Sequence, residues 1–307
     1  MNNKNNKQEN YKKVSCPNCN SLDVIKRGYF QTQVQGKQQR YYCKSCNKKF
    51  IEQTAFYRMR NNPQKITLCL DLFYRGISTR KVQEHLQAFY PHNSSHKTIY
   101  QWVVKYAKLI SNFTNGLKLN VGKEMQIDEM QYSRRKYPNR KGIEMNWFID
   151  TIDTKTRFIV SSEYTKTRKQ SELKKVLRTA KEKTGKQIEI CTSDGYTAYE
   201  DAIRNIFCFN RQTHKCNVLH KKVTQLKGEG FNIMIERLHN NIRQRTKTFR
   251  GFHGSIESAN AIMKGWEIYY NFITKHQALN KCPYELATNL KLNSENKWLE
   301  LINLSSN

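Results

Sequence analysis

Two groups of residues in this chain combine side-chain type and spacing in ways that chemistry can use. The first is Cys16-Pro17-Asn18-Cys19 and Cys43-Lys44-Ser45-Cys46, two CxxC turns with 23 residues between them. Each turn offers two thiolates on one side, and two turns complete a tetrahedral zinc site. All four ligands are cysteine, which leaves no position for a water, so such a zinc is structural rather than catalytic. The second group is acidic. Asp128 ends the alternating run Met125-Gln126-Ile127-Asp128, Asp194 follows an apolar run at Ser193-Asp194-Gly195, and Glu236 opens a basic helical pattern. In a strand, Met125 and Ile127 face one way and Gln126 and Asp128 the other. Three carboxylates brought to one place repel each other unless cations intervene. Magnesium or manganese accepts oxygen ligands and keeps positions open for water and phosphate oxygens. Two such ions about 4 Å apart can activate a hydroxyl and stabilise a leaving 3′-oxygen. Glu129, Asp150 and Asp153 are rival acids. Glu129 points to the opposite strand face, which suits a supporting role. Asp150 sits on a strand as a metal neighbour or core-edge acid, and Asp153 reads as a turn residue.

Positioning these groups takes several elements. Residues 1–12 are Asn/Lys-rich and expected to be a disordered basic tail. They lack an apolar core, so they do not form a signal peptide, and a cytoplasmic, nucleoid-associated location is expected. Residues 13–58 read as a zinc ribbon, with Tyr29-Phe30 and Arg40-Tyr41-Tyr42 on two strands joined near Gly36. Residues 62–112 carry three helical patterns punctuated at Gly76-Ile77-Ser78 and Pro91–Ser95, which suggests a helix-turn-helix unit. Its third helix has Ile99, Trp102, Val103, Tyr106 and Ile110 on an apolar face, and Lys97, Thr98, Tyr100, Gln101 and Lys105 on the other positions. Lys97, Gln101 and Lys105 are the candidate DNA contacts there. Asn112 to Gly122 is polar and reads as a linker.

From residue 121 to 290 the order is strand, strand, strand, helix, strand, helix, an α/β core around a mixed sheet. Asp128 closes the first strand in this reading. Tyr132 to Gly142 is a basic connection carrying Arg134, Arg135, Lys136, Arg140 and Lys141. Residues 210–230 form a polar segment in which Cys216 and His220 resemble half a metal site but fit a basic surface loop better. Asn232 is placed to cap the helix of Glu236, which continues through Arg243, Arg245 and Lys247. Residues 291–307 read as a C-terminal tail with a weak amphipathic piece at Trp298-Leu299 and Leu301-Ile302.

Composition narrows the partners. Lys plus Arg is 54 against 25 Asp plus Glu, a net charge of +29. That excess points to a polyanion, because each phosphate contact releases condensed counterions. No apolar run approaches the 18 residues of a membrane span, and no basic amphipathic helix with an aromatic face is present, so a membrane partner is excluded.

Ile127-Asp128-Glu129, Thr192-Ser193-Asp194-Gly195 and Ile235-Glu236-Arg237, with Arg243-Gln244-Arg245-Thr246-Lys247 behind the last, resemble the three motifs of DDE-type insertion-sequence transposases. The intervals between the acids, 66 and 42 residues, suit that layout. Tyr270-Asn271-Phe272 followed by His276, Leu279 and Pro283 is similar to the family's ending. Met130 stands where many members have Thr. The resemblance covers residues 121–290 and implies a ribonuclease-H-like, retroviral-integrase-like core with Asp128, Asp194 and Glu236 as its metal-binding triad. It also implies Mg²⁺ or Mn²⁺ as cofactor, double-stranded DNA (element ends and target) as substrate, and a homodimer or larger assembly joining two ends. Arg168 resembles a basic residue that contacts DNA. The activity implied is binding of terminal inverted repeats, phosphodiester hydrolysis and 3′-OH strand transfer. The alternatives are a non-catalytic zinc and helix-turn-helix regulator, or a ribonuclease-H-type nuclease without strand transfer.

Overall fold

The structure, a computed structural model, describes residues 14–32, 36–90, 94–135, 142–207, 209–210, 215–223, 232–249 and 251–306. The chain forms two compact units, Met1–Lys65 and Ile66–Asn307.

In the first unit, strands β1 (Val24–Thr32), β2 (Gly36–Cys43) and β3 (Lys49–Ile51) form an antiparallel sheet in that order. β1 is exposed along nearly its whole length. Tyr41 stacks on Phe50 across β2 and β3, with ring centroids 5.7 Å apart. So small an apolar core needs a cross-link. Each CxxC turn is followed by an asparagine with left-handed backbone, Asn20 at φ 58° and Asn47 at φ 57°. Asparagine tolerates that conformation better than most residues, and it lets the chain reverse directly behind the second cysteine of each pair.

The second unit begins within α1 (Pro63–Tyr74), followed by α2 (Thr79–Phe89) and α3 (His96–Asn115). Ser78 and Ser95 cap α2 and α3, accepting from the Lys81 and Thr98 N–H groups. α3 runs three residues past Asn112, and the segment after it is no free linker. Leu119 N–H donates to Lys183 and Asn120 N–H to Ala287, and Leu119 is buried. The polarity of this stretch reports its outward side chains and misses the backbone bonds that hold it down.

The core follows as β4 (Glu124–Arg135), β5 (Ile143–Asp153), β6 (Ile159–Thr165), α4 (Gln170–Thr184), β7 (Ile190–Ser193) and α5 (Ala198–Ile206). A short hairpin, β8 (Phe209–Asn210) and β9 (Lys215–Cys216), leads to β10 (Leu219–Lys222), α6 (Ile233–Thr246) and α7 (Ile256–Ile268). The sheet order is β10-β7-β4-β5-β6. β4, β5 and β6 are antiparallel neighbours, whereas β7 runs parallel to β4 and β10 parallel to β7. Adjacent residues of β6 show that both faces are covered: Ser161 Oγ donates to Val176 of α4, and Ser162 Oγ to Glu267 of α7. Three antiparallel strands, two parallel ones and helices on both faces make this an α/β fold of ribonuclease-H-like topology.

Three differences from the sequence reading matter for the site. β4 continues through Arg135, so Asp128 lies inside a strand rather than at its end; what ends near it is the pairing with β7, last seen at Gln126–Thr192. β10 lies in a stretch read as polar loop, and its exposed Leu219 and lysines follow from its place at the sheet edge. The segment read as a tail contains α9 (Lys297–Leu304), which follows α8 (Tyr284–Ala287) and buries Trp298, Leu301 and Ile302. Lys136, Arg140 and Lys141 lie outside the described residues.

Tyr74 of α1 ties these helices together. It stacks on Trp298 at 5.3 Å and meets Trp266 edge-on at 5.4 Å. A Cβ at Gly265 would lie 1.7 Å from the Tyr74 hydroxyl, so only glycine lets α7 approach this closely. Among the described residues, no helix is long and apolar enough to cross a membrane.

Candidate metal centre and active site

In the first unit the two turns bring Cys16, Cys19, Cys43 and Cys46 together, with their sulfurs all within 4.8 Å of one another. The Cys16–Cys46 and Cys19–Cys43 separations are both 3.6 Å. Four sulfurs about 2.3 Å from a central zinc stand about 3.8 Å apart, so the cluster fits a tetrathiolate zinc. Burial works against a Cys43 thiolate, yet the Cys46 N–H, the Cys19 and Cys46 thiols and the Ser45 N–H bring its pKa down to about 6. The same thiol contacts hold the Cys19 thiol up, so the four sulfurs share protons as one group, and a bound cation would favour all four thiolates.

In the second unit β4 and β7 place the first two acids. The register pairs Glu124 with Ile190, Met125 with Cys191 and Gln126 with Thr192. Continued by two residues, it sets Asp128 abreast of Asp194, just past the end of β7. Asp194 Oδ1 accepts the Tyr196 N–H at 2.9 Å, which fixes the turn leaving the strand. Asp128 Oδ1 accepts the Glu129 N–H at 2.8 Å. Burial pushes the Asp128 carboxyl up to about 7; His239 and the Glu129 N–H pull it back, while the Glu129 and Asp150 carboxylates add to the push. An acid held at this cost in a mostly dry site is one that a nearby cation would relieve.

Glu236 is exposed in the first turn of α6. The helix start is fixed from β4, where Gln126 Oε1 accepts the Met234 and Ile235 N–H groups at 3.1 and 3.2 Å. Asn232, read as the cap, makes no side-chain cap bond, because Gln126 already occupies the helix end. One turn beyond Glu236, His239 enters the sheet face. Its Nε2 lies 2.7 Å from Asp150 Oδ1 and its Nδ1 3.5 Å from Asp128 Oδ2. Burial disfavours a charged His239, but Asp150 and Asp128 outweigh this and raise its pKa. Hard oxygen donors on a strand, in the turn after another and on a helix suit magnesium or manganese. Among the described residues, only the cysteines form a compact group of ligand atoms, so the three carboxylates are more widely spaced than the thiols.

The opposite face of β4 carries Glu129, with a side chain only 2% exposed. It accepts from the Tyr199 hydroxyl and pairs with Arg168. The Arg168 guanidinium lies between the rings of Trp147 and Tyr196, 4.4 and 4.5 Å from their centroids. Burial drives the Tyr199 hydroxyl well above its ordinary pKa, and Glu129, Asp128 and Asp194 push the same way, so the first two acids share one electrostatic neighbourhood.

Other basic candidates divide by exposure. Lys97, Gln101 and Lys105 share an exposed stripe of α3, opposite the buried Ile99, Trp102, Val103 and Tyr106. Arg243 and Lys247 of the α6 end are also exposed. Arg134 turns inward, with its guanidinium on Glu144 and the Gly254 carbonyl. Arg135 N–H donates to Phe252, and its Nε is buried without a hydrogen-bond partner among the described residues. Arg245 donates to Asn241 and the Tyr269 hydroxyl. Tyr100, read as an exposed position, is drawn in by its bond to the His253 carbonyl at 2.7 Å. His220 sits on β10, 2.8 Å from the Ser193 hydroxyl.

The sequence places Gln126 and His239 beside the candidate acids but assigns neither a role at the site, though both had a signal. Gln126 shares a strand face with Asp128, and His239 shares a helix face with Glu236.

Residues 144–277 match a family model described as a DDE domain (DDE_Tnp_IS240). That match is consistent with a DDE-type transposase family. The matched span holds Asp194 and Glu236, while Asp128 lies on the strand just before it. No curated protein matches the chain.

Proposed function

We propose that this chain is a DNA transposase that binds the terminal inverted repeats of its element, cleaves at their ends and joins the freed 3′-hydroxyl to target DNA. What supports this reading is the β4–β7 register, paired as far as Gln126–Thr192, which continued by two residues brings Asp128 level with Asp194, together with the tether of α6 to Gln126, two residues before Asp128. Asp128, Asp194 and Glu236 are the proposed ligands of the catalytic cations. When bound, Mg²⁺ or Mn²⁺ would supply Lewis-acid activation of the attacking oxygen and charge neutralisation on the leaving one.

The protein's own part is mostly positioning. The exposed Lys97, Gln101 and Lys105 stripe of α3 is proposed to read element-end DNA, and Arg243, Lys247 and Arg168 to hold phosphates near the acids. Water attacks the phosphorus at the element end and the 3′-oxygen leaves as a hydroxyl; that 3′-hydroxyl then attacks a target phosphorus in line, losing its proton and displacing the target strand's 3′-oxygen, which leaves as a hydroxyl. No covalent enzyme intermediate is needed. Joining two ends calls for at least two copies of the chain.

The test is an assay of the full-length, zinc-loaded protein on DNA carrying the element's ends with Mg²⁺ or Mn²⁺. Joined product supports a transposase, and nicked product alone supports a nuclease. Binding without any cleavage supports a regulator. Asp194→Asn should abolish both products and leave end binding largely intact; cleavage equal to wild type would remove Asp194 from the site.

A further inference from the structure

The buried group Asp128, His239 and Asp150 is more than the three-acid reading uses. Asp128 and Asp150 face each other directly across β4 and β5. Asp150 is fully buried, and its Oδ2 has no hydrogen-bond partner among the described residues. A carboxylate in that position is costly unless something holds it. What holds it is His239, whose two ring nitrogens address the two acids at 2.7 and 3.5 Å. His239 is itself buried and projects from α6 three residues after Glu236.

We infer that His239 and Asp150 are positioning residues that fix the rotation of α6 on the sheet and orient Asp128, so that Glu236 and Asp128 meet the same cation. Gln126 tethers α6 at the Met234 and Ile235 N–H groups. The buried Ile235, Leu238 and Ile242 seat α6 on the core, but an apolar contact is less exacting about rotation than a polar one. His239 supplies a second tether further along, and Glu236 lies between the two. Residues three apart on a helix share a face, so seating His239 over Asp128 and Asp150 also sets where Glu236 points. Imidazole suits the task because it is rigid and has a nitrogen on each side, so one ring reaches two carboxylates. Asparagine reproduces the inner nitrogen and glutamine the outer one, but neither reproduces both. Partners that orient a ligating carboxylate typically change metal affinity by about 10–100-fold when removed.

This inference rests on the DDE reading of Asp128 and Glu236, and its test separates the two. Mn²⁺ binding to the full-length, zinc-loaded chain is followed by electron paramagnetic resonance, alongside the Mn²⁺ concentration needed for half-maximal cleavage of element-end DNA. Asp128→Asn should abolish binding at the site. His239→Ala should weaken it by about tenfold and raise the half-maximal Mn²⁺ concentration by a similar factor, with a smaller loss of rate at saturating Mn²⁺. His239→Asn, which keeps the nitrogen facing Asp128, should recover part of the affinity, and Asp150→Asn should fall between the two. Circular dichroism shows which variants fold, and the conservative His239→Asn and Asp150→Asn carry the test if the alanine variant does not. Wild-type Mn²⁺ affinity in the folded variants, with only their melting temperatures changed, would overturn the positioning role while leaving the DDE reading intact. A wild-type chain that neither binds Mn²⁺ nor cleaves end DNA would overturn both.

Discussion

The four cysteines of the first unit and the three acids of the second are two candidate metal-ligand sets built in opposite ways. The sulfurs are already gathered, all within 4.8 Å, on turns that do little else. The acids stand on β4, just past β7 and on α6, and each is held by a neighbour: Asp128 by the Glu129 N–H and His239, Asp194 by the Tyr196 N–H, and the Glu236 helix by Gln126. A structural site can be compact because its only partner is the ion. A site that works on DNA must leave room for water and phosphate oxygens, so its geometry is stored in the surrounding contacts.

Removing the metal from each set gives the sharpest contrast. Chelation of zinc, or Cys43→Ser, should unfold the ribbon, since structural zinc contributes on the order of 10 kcal/mol to such small units. Hydrogen exchange should rise across residues 14–60 and stay low in the buried strands of 66–307. A ribbon that keeps its protection without zinc would end the claim that the metal replaces a core.

A smaller effect is expected where packing alone holds the second unit. Gly265→Ala forces a methyl into the Tyr74 hydroxyl, so Tyr74 must leave its stack on Trp298 and Trp266. Overpacking of this kind costs about 1–3 kcal/mol. Thermal unfolding should show it, and an unchanged melting temperature would mean that α1 is not seated on α7 as described.

The acids should reveal their unrelieved charge through pH. Asp128 is raised to about 7, above its ordinary value of 3.8, so the folded protein binds the extra proton across that window. Its contribution is therefore fully present below about 4 and is lost as pH rises through about 7. Without divalent cations, Asp128→Asn should stabilise the protein at pH 8 by on the order of 2 kcal/mol and have little effect at pH 4. Melting curves at the two pH values decide it; equal shifts at both would mean that the buried charge is not the cause.

The smallest effect belongs to the exposed stripe of α3. Lys97→Ala and Lys105→Ala should each weaken end binding and lower the slope of affinity against salt by about one ion, as loss of one phosphate contact does. Gln101→Ala should leave the slope alone and relax sequence preference. Salt-independent losses from the lysine variants would argue against phosphate contact there.

Much of this was legible because the signals were local. Two CxxC turns announce their ligand set whatever the fold. The phase of Met125-Gln126-Ile127-Asp128 gives the correct strand face for Asp128, and the same phase correctly puts Glu129 on the other side. What stayed hidden depends on partners distant in sequence. Arg134 reads as an exposed basic residue until the β4–β5 register sets it opposite Glu144. β10 is four residues of Leu, His and Lys with no alternation, recognisable as a strand only by its place beside β7. Asp150 reads as either a metal neighbour or a core-edge acid until β5 carries it opposite Asp128 and α6 lowers His239 onto it.

The stacking of Arg168 between Trp147 and Tyr196 has an optical consequence. Of the four tryptophans, Trp102, Trp266 and Trp298 are buried, while Trp147 is half-exposed with a guanidinium over its ring. Its emission is therefore the one most open to aqueous quenchers, and it sits against the very cation proposed to receive a phosphate. The molecule carries its own lamp at that contact, and the arrival of a DNA strand at Arg168 can be followed there without a label.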